Sequence, residues 1–295
     1  MRPWNSRRRF LATLTSAVAS PSLTPRLGMA VEPPASNLVR VSDGYINPRR
    51  VLLWESTRRE IREALEAGRL KAAIVPTGST EQHNEHLAMI QDTASAVLVA
   101  QQAAIALWPQ VTVATPVAVG ISPYWMERQG TLTLRPETFL AIVYDICDSL
   151  RQHGLKTIFI VNGHGGNDKP LKEHLAEFRA NLGLNIDACS YWDAFAEGAN
   201  REEAKRLMES GLENVPGHSA EFETSFALAA FPERIHRDGI DYEKVKLNLK
   251  DPKDAADDRR YYSDSLKARA EKGEALIRIA VDWVAARVRS MLQSS

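Results

Sequence analysis

Thr157-Ile158-Phe159-Ile160-Val161 runs straight into Asn162-Gly163-His164-Gly165-Gly166-Asn167. An unbroken apolar run of this length, without polar alternation, predicts a strand covered on both faces, as in a parallel sheet. The polar, glycine-rich stretch that follows falls where such a sheet opens its ligand crevice, beyond the carboxyl ends of the strands. Working outward, Lys71-Ala72-Ala73-Ile74-Val75-Pro76 reads as a second buried strand, leading into Thr77-Gly78-Ser79. Val111 to Val119 reads as a β-branched strand and Asn185 to Tyr191 as another. Between them lie helical patterns: Ser56 to Leu70, charged and amphipathic with Ser56 as cap; Asp92 to about Leu107; Pro136 to about His153, ended by Gly154; and about Asp168 to Leu182. Ala275 to Val284 gives an amphipathic closing helix. Alternating strand and helix predict an α/β fold, a mostly parallel sheet between helices.

Composition narrows the chemistry. The chain has 295 residues, 37 Lys+Arg against 37 Asp+Glu, 44% hydrophobic residues and 25% charged. Those values exclude a disordered or fibrous protein and give no basic footprint for nucleic acid. Two cysteines, Cys147 and Cys189, are too few for a disulfide scaffold, a four-cysteine zinc ribbon or an all-cysteine iron–sulfur cluster. Both sit at apolar positions of predicted elements and read as buried thiols. Oxygen and nitrogen side chains must carry any chemistry.

The N-terminus reads as an address. Residues 1–30 contain Arg2, Arg7, Arg8, Arg9 and Arg26 and no acid, and Ser6-Arg7-Arg8-Arg9-Phe10-Leu11 resembles a twin-arginine export signal. The apolar stretch from Leu11 to Ala19 is too short to span a bilayer, and cleavage is expected near Ala30. Loss of residues 1–30 would leave a net charge of −5 and a periplasmic protein. Residues 31–49 read as a lead-in and 50–295 as one domain; no stretch after the signal is long and apolar enough for a membrane span.

Three polar clusters fall at or near predicted strand ends and helix starts. The first is Glu81-Gln82-His83-Asn84-Glu85-His86, followed by Asp92 at a helix N-terminus. In extended chain Glu81 and His83 point to the same side. Asp92 gains from the helix dipole, stays ionised and can offer both oxygens to metal. The second cluster carries His164 between glycines that admit close approach of the backbone. The third, Gly217-His218-Ser219-Ala220-Glu221-Phe222-Glu223-Thr224-Ser225, enters an apolar helix. A helix capped by Ser219 with Glu223 as a surface acid is the plain reading of that stretch. Taken together, Glu81, His83, Asp92, His164 and Glu223 form a mixed oxygen and imidazole set suited to two divalent ions, Zn, Mn or Fe. Three carboxylates leave such a pair with residual positive charge that a bound hydroxide would neutralise, and that hydroxide is a nucleophile near neutral pH.

Pro76-Thr77-Gly78-Ser79-Thr80-Glu81-Gln82-His83 with Asp92 eleven residues after Glu81, Asn162-Gly163-His164, Ser190-Tyr191-Trp192-Asp193 and Glu223-Thr224-Ser225 resemble the creatininase (creatinine amidohydrolase) family over about residues 50–290. The resemblance implies a three-layer α/β/α subunit, a homo-oligomer that is often hexameric, and a two-metal centre hydrolysing C–N bonds of small amides other than peptides. It implies Glu81, His83, bridging Asp92, His164 and Glu223 as ligands, and His218 as the catalytic histidine that shuttles protons to the leaving nitrogen. The chain departs from creatinine-hydrolysing members at Gly165-Gly166, where they carry Tyr-Glu, and at Gly217 and Asn214, where they carry a Glu and a substrate-covering Trp. The departures place it in a Gly-Gly branch, with Glu223 replacing the missing carboxylate and no creatinine pocket. Glu221 is a candidate base beside the ligands.

Tyr124 and Trp125, within Pro123-Tyr124-Trp125-Met126, and Trp192 are candidate walls of a pocket whose neutral and aromatic lining suggests an uncharged small amide. His86 is a candidate for orienting a ligand; His153, His174 and His236 read as solvated. Two other functions fit parts of the pattern. A two-metal phosphoester hydrolase would want cations near the site, and only Lys169 stands beside the clusters. A non-catalytic metal- or ligand-binding protein would have no need of His218.

Overall fold

A computed structural model describes residues 50–236, 239 and 252–294. The export signal expected in 1–30 and the lead-in 31–49 lie outside the described residues. Four strands form one sheet: β1 (Ala72–Thr77), β2 (Val111–Val113), β3 (Thr157–Asn162) and β4 (Asn185–Ser190). All pairings are parallel and the order is β2-β1-β3-β4. From β1 the chain moves outward to β2, then crosses back to lay β3 on the other side of β1. The switch point therefore lies between the carboxyl ends of β1 and β3, where doubly wound sheets bind ligands.

Eight α-helices accompany the sheet among the described residues: α1 (Arg58–Glu66), α2 (Gln91–Ala106), α3 (Pro136–Gln152), α4 (Gly165–Leu182), α5 (Gly198–Leu207), α6 (Glu221–Ala230), α7 (Pro252–Ser265) and α8 (Ala270–Gln293). Strand alternation sorts them into layers. Ala72, Ile74, Phe159, Val161 and Cys189 face one way, into a core with α2, α6 and α8 through Leu98, Phe222, Phe226, Leu276 and Val284. Ala73, Val75, Ile158, Ile160 and Ile186 face the other way, against Phe139, Val143 and Leu150 of α3 and Leu171 and Phe178 of α4. The expected α/β/α sandwich is thus present, with apolar residues on both faces of every central strand.

Three local expectations are corrected. The cap of α1 is Thr57, not Ser56: Thr57 Oγ1 accepts from Glu60 N while Glu60 Oε2 accepts from Thr57 N at 2.8 Å, a reciprocal box that Ser56 cannot form. The Val111–Val119 strand stops at Val113; Pro116 has no N–H to continue the ladder, and only Val117 returns, to bridge Thr77. Ser219 does not cap α6, whose N-cap is Ala220, and the plain reading of Glu223 as a surface acid fails because it is buried. Helices α5 and α7 were not foreseen, being short on apolar periodicity. Cys147 and Cys189 are buried free thiols, one in each core, so the sheet lies between them.

Helices α6 and α8 pack at the closest approach that glycine allows. A Cβ on Gly273 would fall inside the van der Waals shell of the Ser225 carbonyl and against Ala229. Gly273→Ala should destabilise by about 1–3 kcal/mol through overpacking. Chemical denaturation measures it, and an unchanged midpoint would contradict the close contact.

Candidate metal centre

Local structure brings the three clusters to the switch point. Gly78 leaves the end of β1 directly against the first turn of α2, where a side chain would strike the Thr93 backbone, and Thr93 Oγ1 donates to Ser79 O at 3.1 Å. The chain then loops through Glu81 and His83 before α2 begins, with Asp92 in its first turn. Gly163, just past β3, packs on the Asp92 carbonyl and Ala96, so the next residue, His164, reaches the same helix end. Asn162 braces this turn: its Oδ1 accepts from Thr77 Oγ1 at 3.1 Å and His164 N at 3.2 Å, and its Nδ2 donates to His164 O at 2.7 Å and Ser190 Oγ at 2.9 Å. Asn167 ties Gly78 O to Ile121 N. Both asparagines stand in the quoted motif, yet sequence reading gave neither a role.

Asp92 is the centre of the arrangement. Its Oδ1 lies 2.9 Å from His83 Nε2 and its Oδ2 2.9 Å from His164 Nδ1. Glu223 Oε2 is 3.7 Å from His83 Nε2, and Glu81 Oε2 is 3.4 Å from His164 Nδ1. Three candidate groups result, His83/Asp92/Glu223, Glu81/Asp92/His164 and Glu81/His83/His218, each with its donor atoms within 4.8 Å of one another; the first two share Asp92. All five residues of those two are buried. Close as they are, Glu81 Oε2, His83 Nε2 and Asp92 Oδ2 make no hydrogen bond. Buried donors and acceptors are rarely left so. The donor set suits divalent Zn, Mn or Fe, and a cation would satisfy all three atoms.

The outer nitrogens point each imidazole. His83 Nδ1 sits 3.1 Å from Glu81 O, and His164 Nε2 sits 3.0 Å from Ile121 O. A carbonyl can only accept, so each of these nitrogens carries a proton, and the inner nitrogen is the one left to offer a lone pair once a metal displaces its proton, as metal-ligating histidines require. Ser122 Oγ at 3.1 Å and Tyr124 Oη at 3.3 Å also crowd His164 Nε2. A side chain at Gly166 would collide with Ile121 O and Tyr124 Oη, whereas Gly165 faces open space.

Electrostatics follow from burying three carboxylates beside two imidazoles. Burial disfavours charge on His83, but Asp92, then Glu223 and Glu81, outweigh it and raise its pKa to about 10. His164 is also raised to about 10, burial again being overcome by Asp92 and Glu81. Asp92 is held well below the carboxylate range, its burial outweighed by the two histidines. Burial, with Asp92 and Glu81 nearby, pushes Glu223 up. Burial and the adjacent His83 lower His86 to about 4.

The remaining expected residues divide. His218 joins the site: Nδ1 is 3.7 Å from Glu81 Oε1, and its ring lies 4.7 Å from that of His83. Trp125 stacks on His218 at 4.4 Å, and Tyr124 stacks beside His164. Tyr261 of α7 meets His218 edge-on at 5.8 Å, a neighbour its sequence distance concealed. Arg128 lies over the Trp125 ring at 5.7 Å, so Lys169 is not the sole cation to consider; Lys169 is exposed and 3.7 Å from Glu173. Glu221 does not face the ligands. Its carboxylate takes Ser210 N at 2.7 Å, Glu209 N at 3.2 Å and Lys272 Nζ at 2.5 Å, which makes it a buried anchor between α8 and the α5–α6 connection. Trp192 packs edge-on to Tyr191 and against the core that α6 and α8 share. His86 links clusters instead of ligating: Thr224 Oγ1 donates to Ser219 O, so it accepts from His86 Nε2 at 2.9 Å. His153 and His236 are exposed as expected, while His174 is half-buried, its Nδ1 2.9 Å from Pro170 O.

The described residues form a parallel α/β/α protein with a buried candidate metal-ligand set, centred on Asp92, at its switch point. Comparison with known proteins agrees. Residues 54–288 match the family model for creatininase, creatinine amidohydrolase, and the chain belongs to that family. Creatinine amidohydrolase of Pseudomonas putida is 25% identical over 259 residues, covering 81% of this chain and 96% of that protein. The 3-dehydro-scyllo-inosose hydrolase of Thermotoga maritima is 29% identical over 194 residues, 65% of this chain, and the match spans 60% of that enzyme's length. A mycofactocin precursor peptide peptidase of Mycobacterium ulcerans is 31% identical over 114 residues, 36% of this chain and 45% of the peptidase. Among solved structures, a mutant creatininase of Zn-Zn type superposes with a TM-score of 0.67 at 25% identity over 81% of this chain and 97% of its own.

Three outcomes test the centre. Metal must replace the protons on His83 and His164, whose pKa values near 10 stand above the ordinary 6.5, so affinity should rise as pH increases from about 6.5 towards 10. Calorimetric titration in buffers of differing ionisation enthalpy should show proton release at pH 7. The raised histidines also stabilise the metal-free fold fully below 6.5 and lose that contribution as pH climbs through about 10. Gly163→Ala should lower metal content by forcing Asp92 and His164 apart; elemental analysis finding full occupancy would refute this.

Proposed function

We propose that the protein is a metal-dependent amidohydrolase that cleaves a non-peptide C–N bond of a small cyclic amide or formamide. The observation that carries the reading is the pair of ligand sets sharing Asp92 beneath His218, with Glu81 common to the second set and to the His218 contact. His83, Asp92 and Glu223 would hold one divalent ion and Glu81, Asp92 and His164 the other. Bound there, such ions supply an acidified water and a polarised carbonyl. The chain's own part is positional. Asp92 fixes the spacing of the two sets, the Glu81 and Ile121 carbonyls hold the imidazoles in ligating tautomers, and Trp125 shields one face of His218 from water.

His218 supplies a hydrogen bond to the reacting amide. It is almost buried, lies against both Glu81 and His83, and is kept neutral by burial and by the neighbouring His83. Tyr124, whose ionisation is pushed up by burial and by Glu81 and Asp92, presents a neutral hydroxyl beside His164. Lys169, the cation beside the sequence clusters, is exposed and 3.7 Å from Glu173, which favours amides over phosphoesters. The match to mycofactocin peptidases supplies a second reading, a peptide-like amide, which the same assay separates. Further parts of the proposal are export through the arginine-rich leader to the periplasm and assembly as a homo-oligomer, hexameric by resemblance.

His218→Ala should keep its metal and lose turnover by about 10²–10³-fold, the usual worth of one hydrogen-bond donor aimed at developing charge. Asp92→Ala should lose both ions. An ammonia- and formate-release screen on small amides, with creatinine and short peptides included, is the measurement; little activity on creatinine is expected. Retained turnover in His218→Ala would remove the mechanism, and retained metal without turnover on any amide would favour a binding protein.

A further inference from the structure

We propose that Gln82 is a positioning residue that fixes His218 as its Nδ1–H tautomer, so that the histidine meets the reacting carbonyl as a hydrogen-bond donor and not as a base. This deepens the amidohydrolase reading and rests on it for its catalytic meaning, though not for its geometry. Gln82 is buried and stands in sequence between the two candidate ligands Glu81 and His83. Its carboxamide makes two contacts. Oε1 accepts the backbone N–H of Asn84 at 3.0 Å, and Nε2 stands 2.7 Å from His218 Nε2.

The first contact decides the second. A backbone N–H can only donate, so the Gln82 atom facing Asn84 must be the oxygen. Reversing the amide would set NH₂ against N–H at Asn84, a part-buried donor facing a donor. Asn84 adopts the left-handed backbone, φ 53°, which Asn tolerates better than most residues, and the tight turn brings its N–H back onto Gln82. The amide NH₂ is therefore aimed at His218 Nε2, which must accept. Neutral His218 then carries its proton on Nδ1, the atom turned towards Glu81 Oε1 at 3.7 Å and so towards the ligand groups. Trp125 stacked on one face and Tyr261 edge-on limit rotation of the ring.

The chemical consequence is specific. A neutral Nδ1–H imidazole has no lone pair on its inward side and cannot take a proton there. It can donate to a carbonyl oxygen and strengthen that bond as the oxygen gains negative charge, which stabilises a tetrahedral transition state. No bond to hydrogen need break at His218 for that role. The proton shuttle implied by family resemblance would instead begin with the opposite tautomer.

The tautomer is directly measurable. Zinc-loaded protein labelled with ¹⁵N-histidine, with His218 resonances assigned by their loss in His218→Gln, should show an unprotonated Nε2 and a protonated Nδ1 in long-range ¹H–¹⁵N spectra at pH 7.5. Gln82→Glu puts an acceptor where the NH₂ stands and should move the proton to Nε2. Gln82→Leu, which removes the donor and adds no charge near the metal, should broaden the His218 signals into a mixture. If amide turnover is found, both variants should lower kcat at least tenfold with KM and zinc content within twofold of the parent. Wild-type spectra with Nε2 protonated would overturn the proposal outright, as would a Gln82→Glu protein that keeps the parental pattern. A protein with the expected tautomer that hydrolyses no amide would refute the functional reading and leave the Gln82 assignment standing.

Discussion

One carboxylate, Asp92, sets the distances on which the rest of the centre depends. It is buried, ionised and shared, one oxygen to His83 and the other to His164. An isolated carboxylate in such a place would cost several kcal/mol. The compensation comes from everything around it: the dipole of α2, two imidazoles, and glycines at 78 and 163 that let two strand ends close on the helix start. Those glycines are a matter of fit. A methyl group at either would press on the backbone that carries the carboxylate.

The sheet explains why these groups meet. Placing β2 and β3 on opposite sides of β1 opens a crevice at their carboxyl ends, and the loops after β1 and β3 have nowhere else to converge. Glu223 comes from a different direction, on α6, held in the first-turn position by Ser219 N at 2.6 Å. The loop after β2 covers the far side through Ile121, Ser122 and Tyr124, all directed at the outer nitrogen of His164. Ligand orientation and pocket wall are therefore parts of one loop.

Much of this was legible in the sequence, and the reasons differ by element. Strands β1 and β3 announced themselves because burial on both faces removes polar alternation, and the ligands stood out because acids and histidines cluster immediately after them. Helices α5 and α7 gave no such signal, since their periodicity is diluted by charge. Glu221 was misread for a reason of geometry. Two residues from Glu223 on a helix means about 200° of rotation, so the two carboxylates point to nearly opposite sides. Tyr261 and Arg128 escaped notice because they are far from the motif in sequence and approach it through an aromatic neighbour. The asparagines and Gln82 were visible as letters, but hydrogen-bond braces have no spacing rule.

The tight seating of α8 on α6 has a consequence for how the protein matures. Four of the five ligands are encoded before residue 165, yet the fifth rides on a helix whose outer side is completed by a segment synthesised after every ligand. The full set of candidate donors is therefore assembled only once that later helix has docked, so the geometry of the centre depends on the last part of the described chain to be made.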